Sequence, residues 1–123
     1  MNEYGVAYDI ELEDGMNGYK ARDLAQAYFN GEGVERDYQK ARYYLELAAK
    51  YHVANACSLL SMMARTGLAY PEPDLKEALR WMELARYYGL RNEGVEAAIQ
   101  DLKNRIEEQE KKPVFNVKTR KKF

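Results

Sequence analysis

Residues 24–53 read Leu-Ala-Gln-Ala-Tyr-Phe-Asn-Gly-Glu-Gly-Val-Glu-Arg-Asp-Tyr-Gln-Lys-Ala-Arg-Tyr-Tyr-Leu-Glu-Leu-Ala-Ala-Lys-Tyr-His-Val. The stretch is a helix, a glycine turn and a second helix. It recurs further along the chain. A step of 37 residues carries Asp37, Lys40, Ala41, Tyr44, Leu45, Glu46, Leu47 and Ala48 onto Asp74, Glu77, Ala78, Trp81, Met82, Glu83, Leu84 and Ala85. A step of 36 carries Leu24 to Leu60 and Gly31 to Gly67. Self-similarity at such a period signals helix pairs stacked into a solenoid, because one pair alone cannot bury its apolar face.

The helices follow from the apolar spacing. Ala21, Leu24, Ala25 and Tyr28 share one face of a helix from about Gly18 to Asn30. Gly31 and Gly33 stop it, since glycine accepts the positive φ that closes a helix. Asp37 caps the next helix, which buries Ala41, Tyr44, Leu45 and Ala48. The second pair presents Ala56, Leu60, Met63 and Ala64, then Ala78, Trp81, Met82 and Ala85. Gly67 and Gly89 end its helices, and Pro71 and Pro73 stiffen its connection. Asp74 and Glu77 form an acidic variant of the capping box. A last helix, from about Asn92 to Glu110, carries Val95, Ala98, Ile99, Leu102 and Ile106 on one stripe and charge on the other. It suits the terminal helix that covers the open end of a stack, and Pro113 is expected to end it.

These positions resemble the Sel-one-like repeat family, relatives of the tetratricopeptide repeat. Leu24, Tyr28, Gly31, Gly33, Val34, Asp37, Lys40, Ala41, Tyr44, Ala48 and Ala49 match the family order in the first copy. Leu60, Gly67, Asp74, Ala78, Trp81, Ala85 and Gly89 match it in the second. The second copy lacks the second turn glycine, Ala64 replaces its tyrosine and Arg86 replaces an alanine. His52 stands where the first copy should close with glycine. The resemblance implies an all-α, right-handed superhelical repeat of two helix pairs plus a C-terminal capping helix. Residues 17–111 form the repeat domain, between an acidic extension at 1–16 and a basic tail at 112–123. It implies a non-enzymatic protein–protein interaction module without cofactors: an adaptor, an immunity protein that neutralises a toxin, or a scaffold.

In such stacks the first helix of each pair lines the concave face. The residues opposite the packing stripe are Tyr19, Arg22, Gln26 and Phe29, then Ser58, Met62 and Arg65, then Glu96 and Gln100. These are the expected partner-binding residues, with Arg22, Met62 and Arg65 as anchors. Tyrosine, methionine and arginine are enriched in interfaces. Tyr43, Leu47, Leu84 and Tyr87 lie on the other flank. The family usually has lysine where Leu47 and Leu84 stand, and two readings are open. The leucines widen the core stripe to receive the N-terminal segment, or they form an exposed patch for a partner or for a second copy in a homo-oligomeric scaffold.

The rest of the chain bounds the chemistry. At 123 residues it is one domain by length. Net charge is −1, against a chain-wide nucleic-acid surface. The ends are polarised. Glu3, Asp9, Glu11, Glu13 and Asp14 stand in the first 15 residues with no base, and Lys111, Lys112, Lys118, Arg120, Lys121 and Lys122 close the chain with no acid. The tail reads as a solubilising terminus, with weak contact to nucleic acid, an acidic membrane or an acidic segment as alternatives. Val6, Tyr8, Ile10 and Leu12 alternate with polar residues, so they share one face of an extended segment.

Cys57 is the single cysteine, which excludes an intramolecular disulfide and a cysteine metal cluster and suits a reducing, cytoplasmic setting. No signal pattern or membrane-spanning run is expected. His52, the single histidine, reads as a left-handed helix cap. Cys57 reads as a small core residue. Glu107, Glu108 and Glu110 read as a solvated face. No metal-ligand spacing and no catalytic pair is evident.

Overall fold

The computed structural model describes residues 16–121, with side chains through Lys111. The expectations for Val6 to Leu12 and for the side chains of the basic tail lie outside these residues. Five helices follow in order: α1 Gly18–Asn30, α2 Tyr38–Lys50, α3 Ala54–Thr66, α4 Leu75–Tyr87 and α5 Glu93–Lys121. No strand occurs among the described residues. Each helix packs on the next, giving an all-α repeat solenoid. Contact is most extensive within the pairs α1/α2 and α3/α4 and thinner between α2 and α3 and between α4 and α5.

Capping side chains set the helix starts. Asn17 Oδ1 accepts from the Lys20 N–H at 2.9 Å. Asp37 and Asp74 accept from the Lys40 and Glu77 N–H groups, each at 3.0 Å. The reciprocal half of a capping box is absent at Glu77, whose carboxylate takes Arg80 at 2.7 Å instead. The turns repeat as well. The Asp37 N–H donates to the Tyr28 carbonyl at 2.9 Å, and the Asp74 N–H donates to Ala64 at 2.8 Å.

Left-handed backbone recurs at matched positions even where glycine does not. Gly31 (φ 71°) pairs with Gly67 (φ 84°), Gly33 (φ 76°) with Ala69 (φ 66°), and Gly89 (φ 123°) with His52 (φ 63°). A side chain with a Cβ in this region is strained by about 1–2 kcal/mol. Contacts between the pairs meet both non-glycine positions. The Ala69 carbonyl accepts from Arg42 at 3.0 Å and from Gln39 at 3.3 Å, and the His52 ring stacks on Tyr88 at 4.4 Å.

The core is small residues interleaved with leucine. Ala21, Ala41, Ala48, Ala56, Ala64, Ala78 and Ala85 are fully buried, as are Leu47, Leu60 and Met63. Each large side chain so buried contributes roughly 1.5–3 kcal/mol. Ser61 is the one buried polar residue among those described, and its hydroxyl donates to the Ala78 carbonyl at 2.7 Å. Stacked Tyr28 and Tyr44, at 5.8 Å, bridge α1 and α2. Trp81 is buried between the pairs' second helices, with the Arg80 guanidinium 4.3 Å from its ring centroid.

One of two open readings falls away, and one expectation changes. Leu47 does not form an exposed patch: it is fully buried in the main core cluster, and Leu84 is half-buried against the same cluster. The 13-residue α2 therefore buries a stripe wide enough to include Leu47 beside Ala48. Secondly, α5 does not stop at Pro113 but runs to Lys121. Proline removes one N–H and crowds the preceding turn, but it leaves the other helical bonds intact. Lys76 holds Glu110 at 2.9 Å just before it. No contact among the described residues accounts for the extension.

Candidate functional site

The first helices α1, α3 and α5 present a common face cut by two grooves. One, of about 450 Å³, lies between α1 and α3. Ala25, Phe29, Leu45 and Leu59 supply its apolar lining, and Arg22, Gln26, Asn30 and Asn55 its polar groups. Phe29 is held by an edge-on contact with Tyr38 at 5.1 Å. Arg22 lies 3.6 Å from Asp23 and 5.4 Å from the Tyr19 ring centroid, so it is a part-engaged cation on the groove's edge. The other groove, of about 350 Å³, lies between α3 and α5 and is lined by Ser58, Ser61, Met62, Arg65, Met82, Ala98, Asp101 and Leu102.

The residues expected from sequence divide accordingly. Arg22, Gln26 and Phe29 come together in the first groove, and Ser58, Met62 and Arg65 in the second. Tyr19, 65 % exposed, stands outside both. It joins Arg22, His52 and Tyr88 around a separate hollow of about 300 Å³. Glu96 and Gln100 line neither groove: Glu96 accepts from Arg86 at 2.9 Å, and Gln100 donates to Asn104 at 3.0 Å. Met62 is also less free than the sequence suggests, because it packs against the core cluster. Sequence reading missed Leu59, which is 41 % exposed in the α1/α3 groove. Its signal was present: an apolar residue next to, but off, the Leu60 packing stripe.

A larger groove, of about 760 Å³, lies on the opposite face between α2 and α4. Arg42, Lys50, Arg80, Trp81, Leu84 and Tyr88 are among its lining residues. Arg42 donates to Glu46 at 2.9 Å and its guanidinium lies 3.8 Å from the Tyr70 ring centroid. The Trp81 N–H is directed toward the Tyr70 hydroxyl without completing a well-formed bond. Burial pushes the Tyr70 hydroxyl pKa up, opposed by the Trp81 N–H and by Arg42. Tyr43 and Leu84 of the flank named from the sequence line this groove, whereas Tyr87 and Leu47 do not, and its basic and tryptophan lining was not expected.

A model of the Sel1 repeat matches residues 21–50 and 54–89, together more than half of the chain. The chain belongs to the Sel1 repeat family. No curated protein matches it. Sel1 repeats are generally protein–protein interaction modules and typically non-enzymatic. The two matched segments coincide with α1/α2 and α3/α4, so the α1/α3 and α2/α4 grooves lie between the two Sel1 repeats, whereas the α3/α5 groove is completed by a helix beyond the matched residues.

The reactive side chains fit that setting. Cys57 is fully buried, and burial pushes its thiol up to about 11, which keeps it protonated and non-nucleophilic near neutrality. His52 stacks face to face on Tyr88. Among the described residues, no three His, Cys, Asp or Glu side chains group as metal ligands would. Among them, too, no helix is long and apolar enough to cross a membrane.

Proposed function

We propose that this chain is a non-enzymatic interaction module that grips a segment of a partner protein across its first-helix face, as an adaptor or as an immunity protein occupying a toxin. The α1/α3 groove carries this reading. Its apolar lining is flanked by amides and one arginine, the mixture that seats an apolar side chain while satisfying the backbone around it. The groups stand on helices rather than on loops. Residues 17–111 then form the interaction domain, with 1–16 and 112–123 as its extensions. A reducing compartment such as the cytoplasm suits the single buried thiol.

The test is calorimetry against a partner captured from the native host, with Arg22→Ala, Leu59→Ala and Arg65→Ala. Interface energy concentrates in a few central residues, so at least one of the three is expected to lose about 1 kcal/mol or more of binding. Tyr87→Ala, on the opposite flank, is expected to bind as the parent does. Full binding by all three variants would overturn the first-helix assignment.

A further inference from the structure

We infer that the first-helix face takes an extended, acidic segment of its partner, with one carboxylate on Arg22 and an apolar side chain two residues away on either side. The inference rests on the first-helix reading above and names the chemistry of what binds there.

The hollow of about 450 Å³ between α1 and α3 and the hollow of about 300 Å³ beside Tyr19 meet, because Arg22 and Asn55 line both. Together they form one track along α1 that passes the start of α3. Its two ends are apolar. Phe29, Leu45 and Leu59 line one end. Tyr19, Leu90 and the stacked rings of His52 and Tyr88 line the other.

Charge singles out the middle. Arg22 is the one Lys or Arg in either lining, and neither lining contains an Asp or Glu. Its contacts among the described residues are the exposed Asp23, 3.6 Å away, and the Tyr19 ring. Adjacent residues on a helix do not face each other, and an exposed pair at that distance holds little. The planar fork of the guanidinium is thus left for an incoming carboxylate. Val53, the N-cap of α3, offers no side-chain acceptor, so the positive end of that helix lies beside the same point.

The rim decides between an extended segment and a helix. Gln26, Asn30 and Asn55 each carry donors and an acceptor, and no hydrogen bond among the described residues engages their side chains. A helix has already paired its backbone groups, whereas an extended segment presents N–H and C=O groups that need partners once water is displaced. The spacing agrees. Arg22, Gln26 and Asn30 stand four residues apart on α1, about 6 Å per step. Alternate residues of an extended chain turn to one side at about 6.6 Å. A carboxylate on Arg22 therefore sets the residues two before and two after it over the two hollows.

The experiment titrates the ¹⁵N-labelled full chain with short peptides blocked at both ends, so that their single carboxylate is a side chain. The probe carries Phe-Ser-Asp-Ser-Leu between Gly-Ser flanks. It is expected to shift the Arg22, Phe29 and Leu59 backbone signals and the Gln26 and Asn55 side-chain amides, and to leave Leu84 on the opposite face in place. Replacing the probe's Asp by Asn should weaken binding about tenfold or more, the usual effect of losing a charge-assisted hydrogen bond. Arg22→Gln should weaken the Asp probe to the same degree and leave the Asn probe as it was, a coupling that a damaged fold would not produce. Equal affinity for the two probes would overturn the acidic assignment and leave the first-helix reading standing, since a peptide still binds there. Tighter binding by a probe with its three anchors respaced at helical intervals would overturn the extended pose. Shifts confined to the α2/α4 face, or no shifts, would overturn the inference as a whole. The first-helix reading itself falls only if the captured partner also ignores the loss of Arg22, Leu59 and Arg65.

Discussion

The imidazole of His52 lies flat on the ring of Tyr88, 4.4 Å between centroids and 16° between planes. His52 holds a left-handed backbone, φ 63°, at the position where the second copy has Gly89. A strained residue in one repeat is thus paired with a ring at the end of the other.

That pairing separates two substitutions. His52→Ala loses the stack and keeps the backbone strain, so it is expected to destabilise by about 1–2 kcal/mol. His52→Gly loses the same stack but relieves the strain, and is expected to be close to neutral. Urea midpoints of the two variants check the order. An alanine variant as stable as the glycine variant would remove the stack from the account.

The turn glycines differ in a measurable way. Gly31 and Gly67 are both left-handed, and Gly31 has room: a Cβ there would meet Arg36 at an ordinary 3.5 Å. At Gly67 a Cβ would press on Pro73 N and Cδ at 3.0 Å. Gly31→Ala is expected to cost about 1 kcal/mol from the backbone alone. Gly67→Ala should cost visibly more, because the proline ring is part of the chain that must move. Thermal or urea unfolding of the pair provides the check.

Trp81 provides an optical test. It is the single tryptophan and is only 7 % exposed. Native emission should be blue-shifted and should move to the solvent value on unfolding. Trp81→Ala is expected to cost about 3–5 kcal/mol, the usual penalty for emptying a large core site. Solvent-like native emission would contradict the α4 packing.

Cys57 links burial to pH. Its thiol titrates at about 11 in the fold against 9.0 when exposed. Above the exposed value the unfolded chain loses this proton first, so the folded state holds more protons and stability falls as pH rises. The contribution is whole below 9.0 and declines up to about 11. Denaturation midpoints at pH 8 and pH 10, compared with those of Cys57→Ala, isolate it. An aromatic disulfide reagent at pH 8 should leave the native thiol unmodified and react after unfolding.

The helices were legible in the sequence because their signals are local. Asp37, Asp74, Gly31 and Gly67 act within one turn of themselves, and the alanine stripes repeat at helical spacing. Less legible was what depends on the other copy. Ala69 carries no local sign of a left-handed backbone; its conformation is met by Arg42 and Gln39 from the preceding repeat. Leu47 looks like a flank residue on a helical wheel, and only the packing of neighbouring elements makes it core. The site was half legible for the same reason. Arg22, Gln26 and Phe29 share a helix face, but their groove is completed by Leu59 and Asn55 from α3, and Glu96 is withdrawn by Arg86. Pro113 misled because its local penalty is real, yet α5 continues past it.

The unequal packing of the stack has a mechanical side. Each helix pair packs extensively within itself, and the junction from α2 to α3 between the pairs is thin. Arg42 on Ala69 and His52 on Tyr88 tie that junction on the second-helix side. A load that rotates the pairs stretches these two ties first. The same rotation alters the spacing of α1 and α3, and with it the jaw between Phe29 and Leu59. On the proposed reading of the α1/α3 groove, loosening these two contacts should change its width, although neither lies in it.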